Sequence, residues 1–308
     1  MERTIRNALA QHTTEFSVGD RLHDVPPHLV YAVTIEGRRA ICKVATGPAA
    51  NVGGEVAAMR HAREAGLPVP RILATGPDHY VAAWCDHAPE PDADPTADRL
   101  RAMADALGRL RAGPAGDFAR TGFLRAGGVE GHDSWSATLC ALLDGWRDSL
   151  EPRGHADVAR ETIETVRAHR DALDGVDPPA LLHGNVHPAH VGESNEDLTC
   201  LIDFEHALVG LPEYDFMRTV VPVFLGALGD AAELDLGRFR AGYESHRPLP
   251  PGFHAREPLY RQVLSVSYLV ALYVQQGGRA DPEAIEERAA WIRARVLDAR
   301  EEVEATLG

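Results

Sequence analysis

The spacing of apolar and polar positions divides the chain into a strand-rich first part and a helix-rich remainder. Val30-Tyr31-Ala32-Val33-Thr34-Ile35 and Arg39-Ala40-Ile41-Cys42-Lys43-Val44 have the composition of strands, and Glu36-Gly37-Arg38 between them is a hairpin turn signal. Over residues 51–64 the period lengthens. Val56, Met59 and Ala62 fall at helical spacing, Glu55 lies near the start, and Gly66-Leu67-Pro68 stops the helix. Residues 79–84 predict another strand, whereas 17–28 show one glycine and a Pro26-Pro27 pair and read as a loop ahead of the hairpin. Residues 85–95 hold three prolines and four carboxylates and form the one clear linker.

Beyond the linker the helical period dominates. Leu100, Met103, Leu107 and Leu110 share a face of a helix over 96–111, and helices are expected over 134–150, 155–173, 215–228, 234–243, 256–276 and 282–307. Two short apolar runs, Ala180–Leu182 and 198–202, interrupt this pattern. Each delivers polar residues at its end: His183-Gly184-Asn185 and His187-Pro188-Ala189-His190 after the first, Asp203-Phe204-Glu205 after the second. Strand ends feeding loops are where a rigid support displays chemistry.

Composition narrows the function classes. The net charge of −15 excludes a phosphate backbone as a natural partner, so no nucleic acid is expected. MERTIRNALAQHTTEF lacks the continuous apolar segment of a signal peptide, and the longest apolar-rich run, 263–274, is too short to span a bilayer. A cytoplasmic protein without a membrane partner is therefore expected. Cys42, Cys85, Cys140 and Cys200 stand far apart with no C-x-x-C pair, which argues against a zinc ribbon and against a disulfide framework. Among 31 basic side chains only Lys43 is a lysine. A chain that uses arginine everywhere else keeps a lysine near the end of one strand.

His183-Gly184-Asn185 through His190, followed by Ile202-Asp203-Phe204-Glu205, resembles the active-site pattern H-G-D-x-x-x-x-N and I-D-[FW]-[EDG] of the aminoglycoside phosphotransferase and choline kinase family. Gly66-Leu67-Pro68-Val69-Pro70-Arg71-Ile72-Leu73 is similar to the family segment G-[LV]-P-V-P-R-V-L, and Pro212-Glu213-Tyr214-Asp215 to G-D-P-x-Y-D. The resemblance implies an α+β, two-lobed protein-kinase-like fold. Residues 1–86 would form an antiparallel-sheet, nucleotide-binding lobe, and 87–308 a mainly helical lobe carrying the catalytic loop and substrate site. It implies transfer of the γ-phosphate of ATP to a hydroxyl of a small-molecule acceptor.

Roles follow position by position. Lys43 and Glu55 stand in the order in which kinases build the Lys–Glu pair that holds the α and β phosphates. The backbone at Trp84 and Cys85 would face adenine, with Trp84 as a core anchor the alternative. Asp203 would bind Mg2+, and Asp215 would brace the loop. Two positions depart from the family. Asn185 replaces the Asp that accepts the hydroxyl proton, and an amide oxygen is too weak a base for that task. His190 replaces a metal-binding Asn, and its nitrogen favours tolerance of Mn2+ or loss of one metal. A nucleotide-binding pseudokinase is the competing class, and Glu205 and Glu213 are the carboxylates to test as a substitute base. His183, His187 and His190 also have the spacing of a three-histidine metal site, although Gly184 and Pro188 argue against the helix it needs.

Overall fold

A computed structural model describes all residues except 1, 26, 48–49, 91, 114–117, 196, 227–234 and 276–280. Helix α1 (Glu2–Leu9) leads into strands β1 (Phe16–Val25), β2 (His28–Ile35) and β3 (Arg38–Ala45). Helix α2 (Val52–Glu64) then precedes β4 (Ile72–Thr75) and β5 (His79–Ala83). The five strands form one antiparallel sheet in the order β1-β2-β3-β5-β4. Ile35 pairs with Arg38, so Glu36 and Gly37 alone make the turn, at φ 51° and 73°. Positive φ at both positions is the type I′ geometry that matches strand twist.

The sheet has a core on each face, and strand alternation assigns every side chain to one of them. Cys42, Val44 and Val81 pack with Ile5, Ala8 and Leu9 of α1, while Tyr80 and Ala82 join Val56 and Met59 of α2 in the main core. Lys43 lies between Cys42 and Val44 in β3 and opposite Tyr80, so it points to the α2 side. The stretch 17–28, expected as a loop, is largely strand β1. Edge strands are half solvated and carry little apolar signal, which is why Gly19-Asp20-Arg21 hid it.

After the linker come α3 (Ala97–Ala112), a hairpin of β6 (Thr121–Arg125) and β7 (Gly128–His132), then α4 (Trp135–Leu150), α5 (Ala156–Ala168) and α6 (Arg170–Leu173). Strands β8 (Ala180–Leu182), β9 (Val191–Ser194), β10 (Asp197–Leu201) and β11 (Leu208–Gly210) surround the central motif. Helices α7 (Pro212–Phe224), α8 (Leu236–Glu244), α9 (Phe253–Gln275) and α10 (Pro282–Leu307) complete the chain. The helix expected over 155–173 is thus broken at His169. The expected ends at 227–228, 234 and 276 lie outside the described residues. Among those described, no helix is long and apolar enough to cross a membrane.

Two connections position the motif. Strand β8 belongs to a sheet of order β7-β6-β11-β8, and β10 pairs with β9. The β6 hairpin also reaches α2: Asn51 caps that helix by accepting from Gly54 N and donates its amide to Leu124 O at 2.9 Å. A Cβ on Gly54 would lie 2.1 Å from Leu124 O, so only glycine permits the approach. The cysteine expectation is corrected here. Cys85 of the linker and Cys200 of β10 form a disulfide, with Cα atoms 6.8 Å apart. Their separation of 115 residues conceals a proximity that exists only once the linker crosses β10.

Candidate active site

Lys43 is 5% exposed and Glu55, in the first turn of α2, is 1% exposed. The ammonium donates to Glu55 Oε1 at 2.9 Å, and the Tyr80 hydroxyl donates to the same oxygen at 2.9 Å. Two more carboxylates arrive from the far end of the chain. Asp203 Oδ1 lies 3.1 Å and Glu205 Oε2 3.2 Å from Lys43 Nζ. An ammonium has three N–H donors, so all three are engaged by protein carboxylates. Burial opposes the charge on Lys43, yet Glu55 and Asp203 outweigh it and set its pKa well above the usual lysine value. Burial likewise pushes the Glu55 carboxyl up, against the pull of Lys43.

The loop after β8 is fixed from below. His183 is fully buried; its Nε2 donates to Ile202 O at 2.9 Å and its Nδ1 accepts from Asn185 N at 3.3 Å. Burial, with His190 nearby, lowers its pKa to about 3, so it is neutral. Asp215, in the first turn of α7, accepts from His183 N at 2.8 Å and Gly184 N at 2.9 Å. Burial lifts its carboxyl to about 6 despite those bonds. Gly184 sits at φ +77°, where a Cβ would lie 2.1 Å from His206 O. Arg218 donates to Gly184 O and to Ser267 Oγ, and Thr219 donates to Val186 O, so α7 holds the loop along its length.

That scaffold presents His190 to Asp203 and ties its ring to the Asn185 backbone. His190 Nδ1 donates to Asn185 O at 2.8 Å, since a carbonyl only accepts. Its Nε2 lies 3.3 Å from Asp203 Oδ2. The Asn185 side-chain amide makes no hydrogen bond among the described residues. Asp203 adopts φ +67°, a left-handed conformation that costs energy for a residue with a side chain and clusters at functional sites. Burial works to raise its carboxyl, but Lys43 and His190 outweigh burial and hold it below the ordinary range. Asp203 thus places one oxygen against Lys43 Nζ and the other against His190 Nε2.

This pair fits a divalent cation. Among the described residues no group of three or more His, Cys, Asp or Glu could hold a metal ion by itself. Oδ2 and Nε2 supply two donors, which is what a site completed by water and phosphate oxygens requires. The three-histidine alternative fails, because both nitrogens of His183 are bonded within the protein.

The other expected residues are placed as follows. Trp84 is half-buried under the Arg39 guanidinium, 3.5 Å from its ring, so it is not a core anchor. Its N–H donates to Arg39 O, and Cys85 O accepts from Ala88 N. Trp84 O and Cys85 N have no intramolecular partner among the described residues. Glu213 is fully buried and accepts from Nε and Nη2 of Arg256, so it is structural. Glu205 is tied to Lys43, and His28 Nδ1 lies 2.8 Å from the same Oε2. His28 was not singled out by sequence. The alternation of β2 puts it on the face of Lys43, but reading 17–28 as a loop hid that alternation.

The sequence model of the phosphotransferase enzyme family matches residues 28–259. The structure is similar to aminoglycoside phosphotransferase APH(4)-Ia, with 16% identity, 98% of this chain and 99% of that one covered, and a TM-score of 0.71. A thermostable mutant of that enzyme, solved as a ternary complex with ADP and hygromycin B, has 16% identity, 98% coverage of each chain and a TM-score of 0.69. A choline/ethanolamine kinase family protein from Mesorhizobium loti has 17% identity, coverage of 97% of this chain and 99% of that one, and a TM-score of 0.64. No curated protein matches the chain.

Proposed function

The chain belongs to the phosphotransferase enzyme family, and from that premise we propose that it transfers the γ-phosphate of ATP to a hydroxyl of a small molecule. The observation that carries this reading is the buried Lys43–Glu55 pair meeting Asp203 across the cleft, at 2.9 and 3.1 Å from one ammonium. Lys43 holds the α and β phosphates once its carboxylates yield, and Glu55 keeps it extended. The lobe of residues 1–86 binds the nucleotide, and residues 87–308 carry the loop and the acceptor site. Trp84 O and Cys85 N offer one acceptor and one donor, the complement of an adenine edge with one N–H donor and one ring acceptor.

Asp203 and His190 hold the divalent ion, whose contribution is to neutralise charge on the phosphate oxygens. The imidazole nitrogen of His190 makes Mn2+ as acceptable as Mg2+. Asn185 accepts a hydrogen bond from the acceptor hydroxyl and orients it without taking its proton. Neither carboxylate considered as a substitute base is free to act: Glu213 is locked on Arg256, and Glu205, though burial works to raise it, is held at about 2 by His28 and Lys43. Base assistance is worth ~10²–10⁴-fold, and a loose transition state lets the proton leave late. A slow kinase with turnover of roughly 10⁻⁴–1 s⁻¹ follows.

The saturation of Lys43 by three carboxylates favours a second reading, a nucleotide-binding pseudokinase. One experiment separates the two. ATP binding with Mg2+ or Mn2+ is measured by calorimetry, and ADP release is followed with amino sugars, amines and sugar alcohols. Release above the rate in buffer supports the kinase; binding with no release across the panel supports the pseudokinase; no binding refutes both.

A further inference from the structure

The nucleotide reading leaves one buried polar side chain of the cleft without a task. His28 begins β2, and since Val30 pairs with Lys43, His28 lies two positions along on the same face of the sheet. It is 4% exposed. Its Nδ1 approaches Glu205 Oε2 to 2.8 Å, while Lys43 Nζ lies 3.2 Å from that same oxygen. Neither ring nitrogen makes a well-aligned hydrogen bond. A lysine ammonium and an imidazole N–H thus converge on one anionic oxygen, and the imidazole fits it poorly.

The sequence beside His28 sharpens the point. Kinase-like sites cover the phosphates with backbone N–H groups of a glycine-rich turn. In the sequence here, the residues between Val25 and His28 are both prolines, and proline has no N–H to give. Those two residues therefore offer no backbone donor, and His28 is a side-chain donor that the strand register supplies on the face of Lys43. Glu205 is able to leave. Its side chain is 25% exposed, it stands in the loop after β10, and its other oxygen makes only a 3.4 Å contact with His206.

We propose that His28 is a second phosphate-binding side chain beside Lys43, and that Glu205 Oε2 occupies the position of a phosphate oxygen until the nucleotide displaces it. The inference rests on the nucleotide reading above. It makes Glu205 an internal competitor of the nucleotide phosphate for Lys43 and His28.

The test uses ADP with EDTA, which removes the metal from the comparison, and calorimetry on the whole protein, with thermal unfolding to confirm each variant's fold. Glu205→Ala should bind ADP about tenfold more tightly, the usual worth of releasing one charge-assisted hydrogen bond. On that background His28→Gln should lose about tenfold, since its amide reaches the place of Nε2 and not of Nδ1. His28→Asn, whose amide N–H coincides with Nδ1, should keep the affinity. Equal gains from Glu205→Ala with and without His28→Gln would reduce the effect to removal of a charge and overturn the proposal. If neither His28 variant alters binding while Lys43→Met abolishes it, His28 is no ligand and the nucleotide reading survives alone. If wild type and Glu205→Ala both fail to bind ADP, and wild type also fails with ATP and metal, both readings fall.

Discussion

Replacing Lys43 by Met keeps the length of the side chain and removes the charge on which Glu55, Asp203 and Glu205 converge. At 2.9–3.2 Å each contact is a gross attraction of about 5–6 kcal/mol for an effective dielectric constant of about 20. Desolvation and repulsion among the carboxylates offset most of that sum. Breaking a buried pair by removing one partner typically leaves a net loss of ~3–5 kcal/mol, the loss expected here. Glu55 would retain only the Tyr80 hydroxyl. Burial already pushes Glu55 up, and without Lys43 only the Tyr80 hydroxyl opposes it, so its folded-state pKa would stand above its unfolded value. The folded variant then binds a proton that the unfolded chain releases, and its stability falls as pH rises through that window. The deficit relative to wild type should therefore be small in mild acid and largest at neutral pH. Urea unfolding at both pH values measures it. ADP affinity should fall about tenfold or more, because the phosphates lose a cation and meet carboxylates. Adding Glu55→Gln should restore stability without restoring ADP binding. A Lys43→Met protein as stable as wild type at pH 7, or one that binds ADP equally well, would refute the reasoning.

Asn185→Asp puts a base back into a loop whose backbone is already held by His183 and His190, so ADP release with an accepted hydroxyl should rise ~10²–10⁴-fold; an ordinary wild-type rate that does not rise would reveal another base. Asp203→Asn should abolish the extra thermal stabilisation that Mg2+ or Mn2+ adds to bound nucleotide, while His190→Asn should shift preference toward Mg2+; equal stabilisation of wild type with EDTA and with Mg2+ would remove the metal from this site. Asp215→Asn turns one of two backbone contacts into a donor facing a donor, at a cost of about 1–3 kcal/mol. Wild-type Asp215 is held at about 6 by burial, so it contributes a loss of stability as pH rises from the ordinary aspartate value to about 6, and the Asn variant should lack that slope in urea titrations.

Much of the site was legible along the chain because its parts are local. Lys43 sits on a strand whose alternation is clear, Glu55 opens a helix marked by its cap and its glycine stop, and the polar runs after β8 and β10 follow short apolar strands. Residue type then limits chemistry: an amide at 185 cannot be a base, whatever surrounds it. Strand β1 and helix α1 were not legible. The first is an edge strand with exposed polar positions, and the second buries only Ile5, Ala8 and Leu9, too little apolar surface to mark a helix in so short a segment.

Which groups meet is a different matter, because it depends on chain segments that approach only after folding. Glu205 and Glu213 are alike as sequence, and tertiary structure gives one to Lys43 and the other to Arg256. The Cys85–Cys200 bond, the Asn51–Leu124 contact and the capture of Lys43 by Asp203 join positions 115, 73 and 160 residues apart. Periodicity and turn chemistry act over a few residues and fix the elements and the residue types they carry. The charge state of Asp215 and the carboxylate lodged between Lys43 and His28 are set by burial and by partners from other elements, and only the packed lobes supply those.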